Sequence, residues 1–419
     1  MPQIHAQNKI RFGERLESWE SLETATIERL GPASARVGRR TVFVVSGMEE
    51  ALGAIAYGLQ GGLDFGVIEN SRLSPEVEAR FADAGVELTN ARSGALIGLP
   101  AKVAEFVPGR ITVLTSGTTG LLKLIPHTPD TLNTFDRVRE MPPNGWFLPY
   151  QIGSYAWFQM VALGLFVAEQ TLIPGDFSDL AGSFETALRT GAVSAISSTP
   201  TFWRHALMSI DEDLLRAADL KSISMGGEIV DQPILDRLAS LYPNAKIRHI
   251  YASSEAGAAI VVTDGRAGFD AGLLSRASGA IGVKVEDGRL YIRSPYVNRD
   301  ETEVWVDTGD LVEERAGRVY FCGRAGNQMI NVGGQKAFPV DIETHLMTHP
   351  DVVWAQVTAR RAPLVGHLPV AQVVLSKPMN ADDAEAMMIA HCDGRLAEYA
   401  VPRMWDFLET VPMRASLKS

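Results

Sequence analysis

The sequence predicts an α/β fold in more than one domain. Three observations carry this: strands alternate with helices through much of the chain, short strands with tight turns take over from about residue 280, and mixed helix and strand return after Gly323.

Around residue 41, RTVFVVS is a β-branched run that reads as a buried strand. MEEALGAIAYGLQGG follows as a helix ended by glycines, and LDFGVIE as a second strand. SPEVEARFADAG is a helix with Ser74 as N-cap and Gly85 at its stop. This alternation argues for βαβ units and a parallel sheet. The most apolar stretch, Tyr155 to Ala168, is interrupted by Gln159 and is shorter than the roughly 20 residues that a membrane-spanning helix needs, so it reads as a buried core helix. AVSAISS (192–198), ILDRLASLYP (234–243) and AKIRHIYASS (245–254) repeat the rhythm as a second α/β layer. Asp287-Gly288 and Ala316-Gly317 then mark hairpin turns in antiparallel structure. DIETHLMTHP, VVWAQVTA and PVAQVVLS lie in the roughly 95 residues after Gly323, a small C-terminal domain.

At 419 residues the chain exceeds one ordinary core, and 46% hydrophobic with 21% charged residues is a globular mix without repeats or low-complexity tracts. A net charge of -11 argues against general nucleic-acid binding, so any anionic ligand must be met by local donors. Cys322 and Cys392 form neither a disulfide framework nor a metal-ligand spacing, which fits a reducing compartment. The first residues lack the apolar core of a signal peptide, and the expected location is cytoplasmic with no membrane span.

The stretch VLTSGTTGLLKLIPH (113–127) places glycines, hydroxyls and one lysine in a loop after a β-branched run. Backbone N–H groups, hydroxyls and a point charge together suit phosphate oxygens. A P-loop is excluded, because two leucines separate Gly120 from Lys123, and an ordinary polar turn is the plainer alternative.

This stretch resembles the phosphate-binding signature of the adenylate-forming superfamily, which includes acyl-CoA synthetases, peptide-synthetase adenylation domains and luciferases. Further stretches resemble the family's other motifs in order: SISMGGEIVDQPILDRL (222–238), IYASSEAG (250–257), VDTGDL (306–311), GRAGNQMINVGGQKAFPVDIE (323–343) and VPMRASLKS (411–419). The first 110 residues match only in rhythm. The resemblance implies a large N-terminal domain (1–323) of two α/β subdomains and a β-barrel-like subdomain, followed by a small mobile α+β lid (324–419).

The implied reaction is attack of a carboxylate on the α-phosphate of ATP, giving an acyl adenylate and pyrophosphate. By resemblance, Thr115, Ser116, Gly117, Thr118, Thr119, Gly120 and Lys123 hold the β- and γ-phosphates, and Glu255 holds Mg²⁺. Gly226, Gly227, Glu228 and Tyr251 surround the adenine, with Ser254 beside them, while Asp310 supported by Arg324 takes the ribose hydroxyls. Lys418 is the expected catalytic lysine, although a lysine so placed is ordinarily solvated. Gly333 and Gly334 would lie beside the path of the attacking thiol. Tyr150, Ser154, Trp157, Phe202, Trp203 and Gly227 are candidates for the acyl pocket, though each aromatic could equally be core.

Departures from the family's pattern are informative. The chain is short before the phosphate loop and between RSPYVN and VDTGD, Gly326 stands at the hinge where the family carries aspartate or lysine, and Gln151 stands nearest the aromatic or histidine gate. Between Asn144 and Gly175 the only acid is Glu169, so the aspartate that holds an amino acid's amine is absent and an amine-free acid is expected. The expected thiol acceptor is coenzyme A, with a carrier protein's phosphopantetheine as the alternative. A non-catalytic adenylate-binding protein is the alternative of another class.

Overall fold

A computed structural model of the chain describes residues 4–116, 122–135, 142, 144–253, 257–275, 281–296, 305–324, 329–362 and 366–412. Its strands form four sheets. In the first, Glu87–Asn90, Arg40–Val45, Asp64–Glu69 and Ile111–Ser116 run parallel in that order, with Leu96–Gly98 and Leu122–His127 antiparallel at the two edges. Helix Met48–Gln60 connects two of these strands and is buried along almost its whole length, as its unbroken apolar run requires. Ser74 caps helix Pro75–Asp83 as expected, its hydroxyl accepting from the Val77 amide.

The second sheet contains the parallel run Lys246–Ser253, Ser222–Gly226, Ala195–Ser198, Asn144–Leu148 and Gln170–Pro174. The sequence rhythm does not reveal that the sheet is completed by the start of the chain: Lys9–Phe12 adds parallel to Gln170–Pro174 through Lys9 opposite Thr171 and Ile10 opposite Leu172. Asn8 locks this crossing. Fully buried, its amide donates to the carbonyls of Gly164 (2.9 Å) and Val167 (2.6 Å), and its oxygen accepts from the Gln170 amide (3.0 Å). Those carbonyls are among the orphans at the C-terminal end of helix Tyr155–Phe166, so one side chain closes a helix and seats a strand. Trp19 adds an indole bond to Gly164 O at 2.8 Å. The helix itself is buried and belongs to one apolar core shared by both sheets. None of the described helices is long and apolar enough to cross a membrane.

The third sheet is antiparallel, ordered Phe269–Asp270, Arg318–Arg324, Val306–Arg315, Arg289–Arg293, Gly282–Glu286. Both its expected hairpin turns have left-handed backbone at both central residues: φ is 50° at Asp287 and 71° at Gly288, 50° at Ala316 and 77° at Gly317. That is the demand of a two-residue turn matched to strand twist. The fourth sheet, built from Gln335–Ala337, Ile330–Val332, Gly366–Leu375, Val352–Ala362 and Met404–Leu408, pairs with none of the others among the described residues and has its own apolar cluster beneath helices Pro339–Leu346 and Ala381–Cys392.

This C-terminal body rests on helix Pro200–Ser209 of the larger one, where Met208 packs against a cluster of Trp354, Val374 and Val411. Close by, Glu343 accepts the Val357 amide at 2.7 Å. Burial pushes its carboxyl up to about 7, with the Val357 bond and the charge of Arg204 pulling the other way.

Two outcomes follow from these contacts. Asn8→Ala removes the donor to Val167 O and the acceptor of the buried Gln170 amide, while Gly164 O keeps Trp19, and is expected to lower stability by about 1–3 kcal/mol in urea unfolding. Because the folded-state pKa of Glu343 is raised, the native chain binds the extra proton, and that stabilisation is present at low pH and lost as pH rises towards about 7. Melting temperature measured against pH should therefore lose this component between pH 5 and 7 in the parent and keep it in Glu343→Gln, whose amide oxygen still accepts the Val357 bond.

Candidate active site

Parallel strands end together, so the loops after Leu148, Ser198 and Gly226 and the strand end Tyr251–Ser253 come to one edge of the second sheet. They line a cleft of about 3080 Å³ bounded also by the Val306–Asp310 segment of the third sheet and by helix Pro339–Leu346 of the C-terminal body.

Gly226 and Gly227 form the floor of one part of this cleft. A side chain at Gly226 would put its Cβ 2.8 Å from Ile250 O. At Gly227 φ is +81°, and a Cβ there would meet nothing nearer than Thr199 Cγ2 at 3.7 Å. Only glycine gives backbone this flat with open space above it. Glu228 lines the cleft beside these glycines, and one of its carboxylate oxygens accepts the Thr201 amide at 3.0 Å and its hydroxyl at 2.8 Å. This oxygen fastens the loop to the start of helix Pro200–Ser209.

Across the cleft, the Tyr251 hydroxyl donates to Asp310. The Tyr251 ring stacks on Phe321, with centroids 4.9 Å apart and planes at 13°. The Thr308 hydroxyl accepts the Asp310 amide at 3.1 Å and donates to Leu290 O at 2.8 Å, which fixes the Thr-Gly-Asp turn. Tyr251 and Asp310, expected at adenine and ribose, are thus neighbours. Arg324 lies opposite Asp310 in the strand register, while its side chain falls outside the described part.

The phosphate stretch is partly strand. Thr115 and Lys123 sit opposite one another on the paired strands Ile111–Ser116 and Leu122–His127, and both line the cleft. Strand thus replaces the expected loop at 113–116 and 122–127. Gly117, Thr118, Thr119, Gly120, the Ser116 side chain, Ser254, Glu255, Gly326 and Lys418 lie outside the described residues.

On the acyl side, Tyr150 and Ser154 line the cleft with Gln151. Tyr150 shares a hydrogen bond with Ser197 at 3.1 Å, and Ser154 caps helix Tyr155–Phe166 by accepting the Trp157 amide at 3.2 Å. Burial raises the Tyr150 phenol well above its usual range, so it stays protonated. Trp157, Phe202 and Trp203 do not line the cleft. Trp157 is fully buried with its indole on Met48 Sδ at 3.1 Å, and Phe202 and Trp203 pack edge-on to Phe184 at 5.4 and 5.8 Å. Their helices turn these faces to the core, which residue type alone does not disclose. Gly333 and Gly334, with φ 58° and 91°, make a turn held by Asn331 and are not among the cleft-lining residues.

Sequence reasoning missed Ser197, Thr199 and Arg72, which line the cleft. Ser197 and Thr199 flank the end of strand Ala195–Ser198, a position from which a parallel sheet delivers side chains to its binding edge. Arg72 reaches in from the first sheet, donating to Ile152 O at 3.3 Å, and no local signal marks it.

Comparison with known proteins agrees with this geometry. The family model described as AMP-binding enzyme matches residues 107–311, and that of the AMP-binding enzyme C-terminal domain matches 341–418. A 2-succinylbenzoate–CoA ligase of Bacillus mycoides (strain KBAB4) is 27% identical over 255 residues, 55% of this chain and 51% of the relative. That of Bacillus subtilis (strain 168) is 30% identical over 145 residues, 32% and 29% of the two chains. The chain spans about half the length of the curated relatives it matches. Among solved structures, the fold is similar to that of the anthranilate CoA ligase AuaEII with anthranoyl-AMP (TM-score 0.75, 18% identity, 99% of this chain and 93% of that one). It is also similar to o-succinylbenzoate CoA synthetase of Bacillus subtilis with ATP and magnesium (TM-score 0.66, 19% identity, 100% and 95%). With two family models matched in order along the chain, it belongs to the AMP-binding enzyme family.

Proposed function

We propose that this chain uses ATP to activate an amine-free carboxylic acid, aryl or fatty, and then passes the acyl group to the thiol of coenzyme A. The observation that carries the reading is the shared cleft: a glycine floor and the Tyr251–Asp310 pair on one side, Tyr150, Ser154 and Ser197 on the other. A nucleotide fits the first part, because a Cβ at Gly226 would crowd Ile250 O and the space above Gly227 is open. The curated relatives are named as CoA ligases, which supports coenzyme A over a carrier protein as acceptor.

In this reading the acid's carboxylate oxygen attacks the α-phosphorus, and the bond to pyrophosphate breaks. The protein's task is to hold two anions together and neutralise developing charge. Asp310, with Arg324, accepts from the ribose hydroxyls, and Tyr251 flanks the purine. Thr115, Ser116, Thr118, Thr119 and Lys123 donate to the outer phosphates, with Gly117 and Gly120 allowing close backbone approach. Lys418 neutralises the α-phosphate. Mg²⁺, when bound, supplies charge neutralisation of the triphosphate, and Glu255 is the residue to hold it. In the second step the thiol sulfur attacks the acyl carbonyl, and AMP leaves. Residues 324–419 act as a lid that turns about Gly326 and brings Gly333 and Gly334 beside the thiol. Tyr150, protonated and bonded to Ser197, offers a donor to the acyl group, and Ser154 fixes the wall beside it. Cys322 and Cys392, both free and buried, suit a reducing cytoplasm.

The test is pyrophosphate release from ATP and Mg²⁺ across aryl, short-chain and long-chain acids, with coenzyme A or a phosphopantetheinylated carrier protein added in parallel. Acid-dependent release, stimulated by coenzyme A and reduced on the order of 10²-fold in Lys418→Ala, is expected. Stimulation by the carrier alone would replace the acceptor, and ATP binding without release for any acid would overturn the enzymatic reading.

A further inference from the structure

Helix Pro200–Ser209 touches both the nucleotide loop and the C-terminal body. At its start, Thr201 holds Glu228 through amide and hydroxyl, a carboxylate placed where the helix end is partially positive. One turn on, the guanidinium of Arg204 pairs with Asp231, and both side chains are over 90% buried. Asp231 also accepts the Ile234 amide at 3.1 Å as N-cap of helix Gln232–Leu241. Glu228 and Asp231, which bracket the end of the glycine loop, are therefore both bonded to this one helix. In its last turn, Met208 packs against the cluster of Trp354, Val374 and Val411 from the C-terminal body.

Arg204 stands at the junction of these contacts. Its charge reaches Glu343 on helix Pro339–Leu346 as well as Asp231, and it lines the cleft between the two bodies. A buried arginine in such a place cannot lose one partner cheaply: moving the C-terminal body changes the field at Arg204, and moving Arg204 leaves Asp231 an uncompensated buried charge. The loop's end would then shift, because Asp231 caps the helix that terminates it.

We infer that Arg204 is a positioning residue, coupling the seating of the C-terminal body on helix Pro200–Ser209 to the geometry of the nucleotide loop 226–231. The inference rests on the proposed nucleotide site. It requires reciprocity: a docked C-terminal body favours nucleotide, and nucleotide favours docking by the same factor. A residue that only braced the fold would change stability without linking the two.

The test uses the full chain, with ATP and Mg²⁺ as the ligand. ATP affinity is measured by calorimetry, docking by the rate of tryptic cleavage beyond residue 324 with and without ATP, and folding by melting temperature. In the parent, ATP should slow cleavage. Arg204→Met should weaken ATP binding about tenfold, speed cleavage, and abolish the protection by ATP. Arg204→Lys, which keeps the charge without the planar fork, should restore part of each. Should Arg204→Met fail to fold, Met208→Ala loosens docking without touching the ion pair and should weaken ATP binding in step with faster cleavage. ATP affinity and ATP protection unchanged in these variants, even with a lower melting temperature, would overturn the coupling alone. A parent chain that binds no ATP would overturn the proposed function, and the coupling with it.

Discussion

The parallel register of Asn144–Leu148, Ala195–Ser198, Ser222–Gly226 and Lys246–Ser253 is the constraint on which the site depends. In-register parallel pairing brings the ends of four chain segments far apart in sequence to one edge, where they can face a single ligand. Asn8 matters for the same reason. By satisfying the end of helix Tyr155–Phe166 and seating Lys9–Phe12 beside Gln170–Pro174, it extends the sheet on the side away from Lys246–Ser253. Glycine at 226 and 227 keeps one loop flat, and Glu228 and Asp231 fasten that loop.

Charge sets a second constraint. In the proposed function a chain of net charge -11 gains nothing from its overall field towards a polyphosphate, so recognition would fall to local groups. The acids at the site are handled accordingly. Asp310 receives the Tyr251 hydroxyl, Glu228 is bonded to Thr201, and Asp231 is matched by Arg204. Lys123, exposed and opposite Thr115, is a cation on the cleft wall and the one the proposal assigns to a phosphate.

Much of the fold was legible because local rules agreed with it. The alternation after residue 40, the cap at Ser74, the core helix from Tyr155 and the two hairpin turns all follow from periodicity and backbone preference. Pairing between distant strands was not legible, and Lys9–Phe12 could have joined either sheet without altering any local pattern. At the site, Tyr251 and Asp310 were legible because motif spacing constrains them, and the fold makes them neighbours. Trp157, Phe202 and Trp203 were misplaced because burial depends on which face of a helix meets the sheet, and an aromatic suits a pocket or a core equally. Arg204 escaped notice because it pairs with Asp231 while its charge acts on Glu343 of the other body, and no local pattern brings those residues together.

The most direct measurement of the central claim is a crystal structure of the chain with ATP and magnesium. The account predicts the purine over Gly226 and Gly227 beside Tyr251, with the ribose hydroxyls on Asp310 in place of the Tyr251 hydroxyl. Nucleotide bound elsewhere, with the Tyr251–Asp310 bond intact, would contradict it.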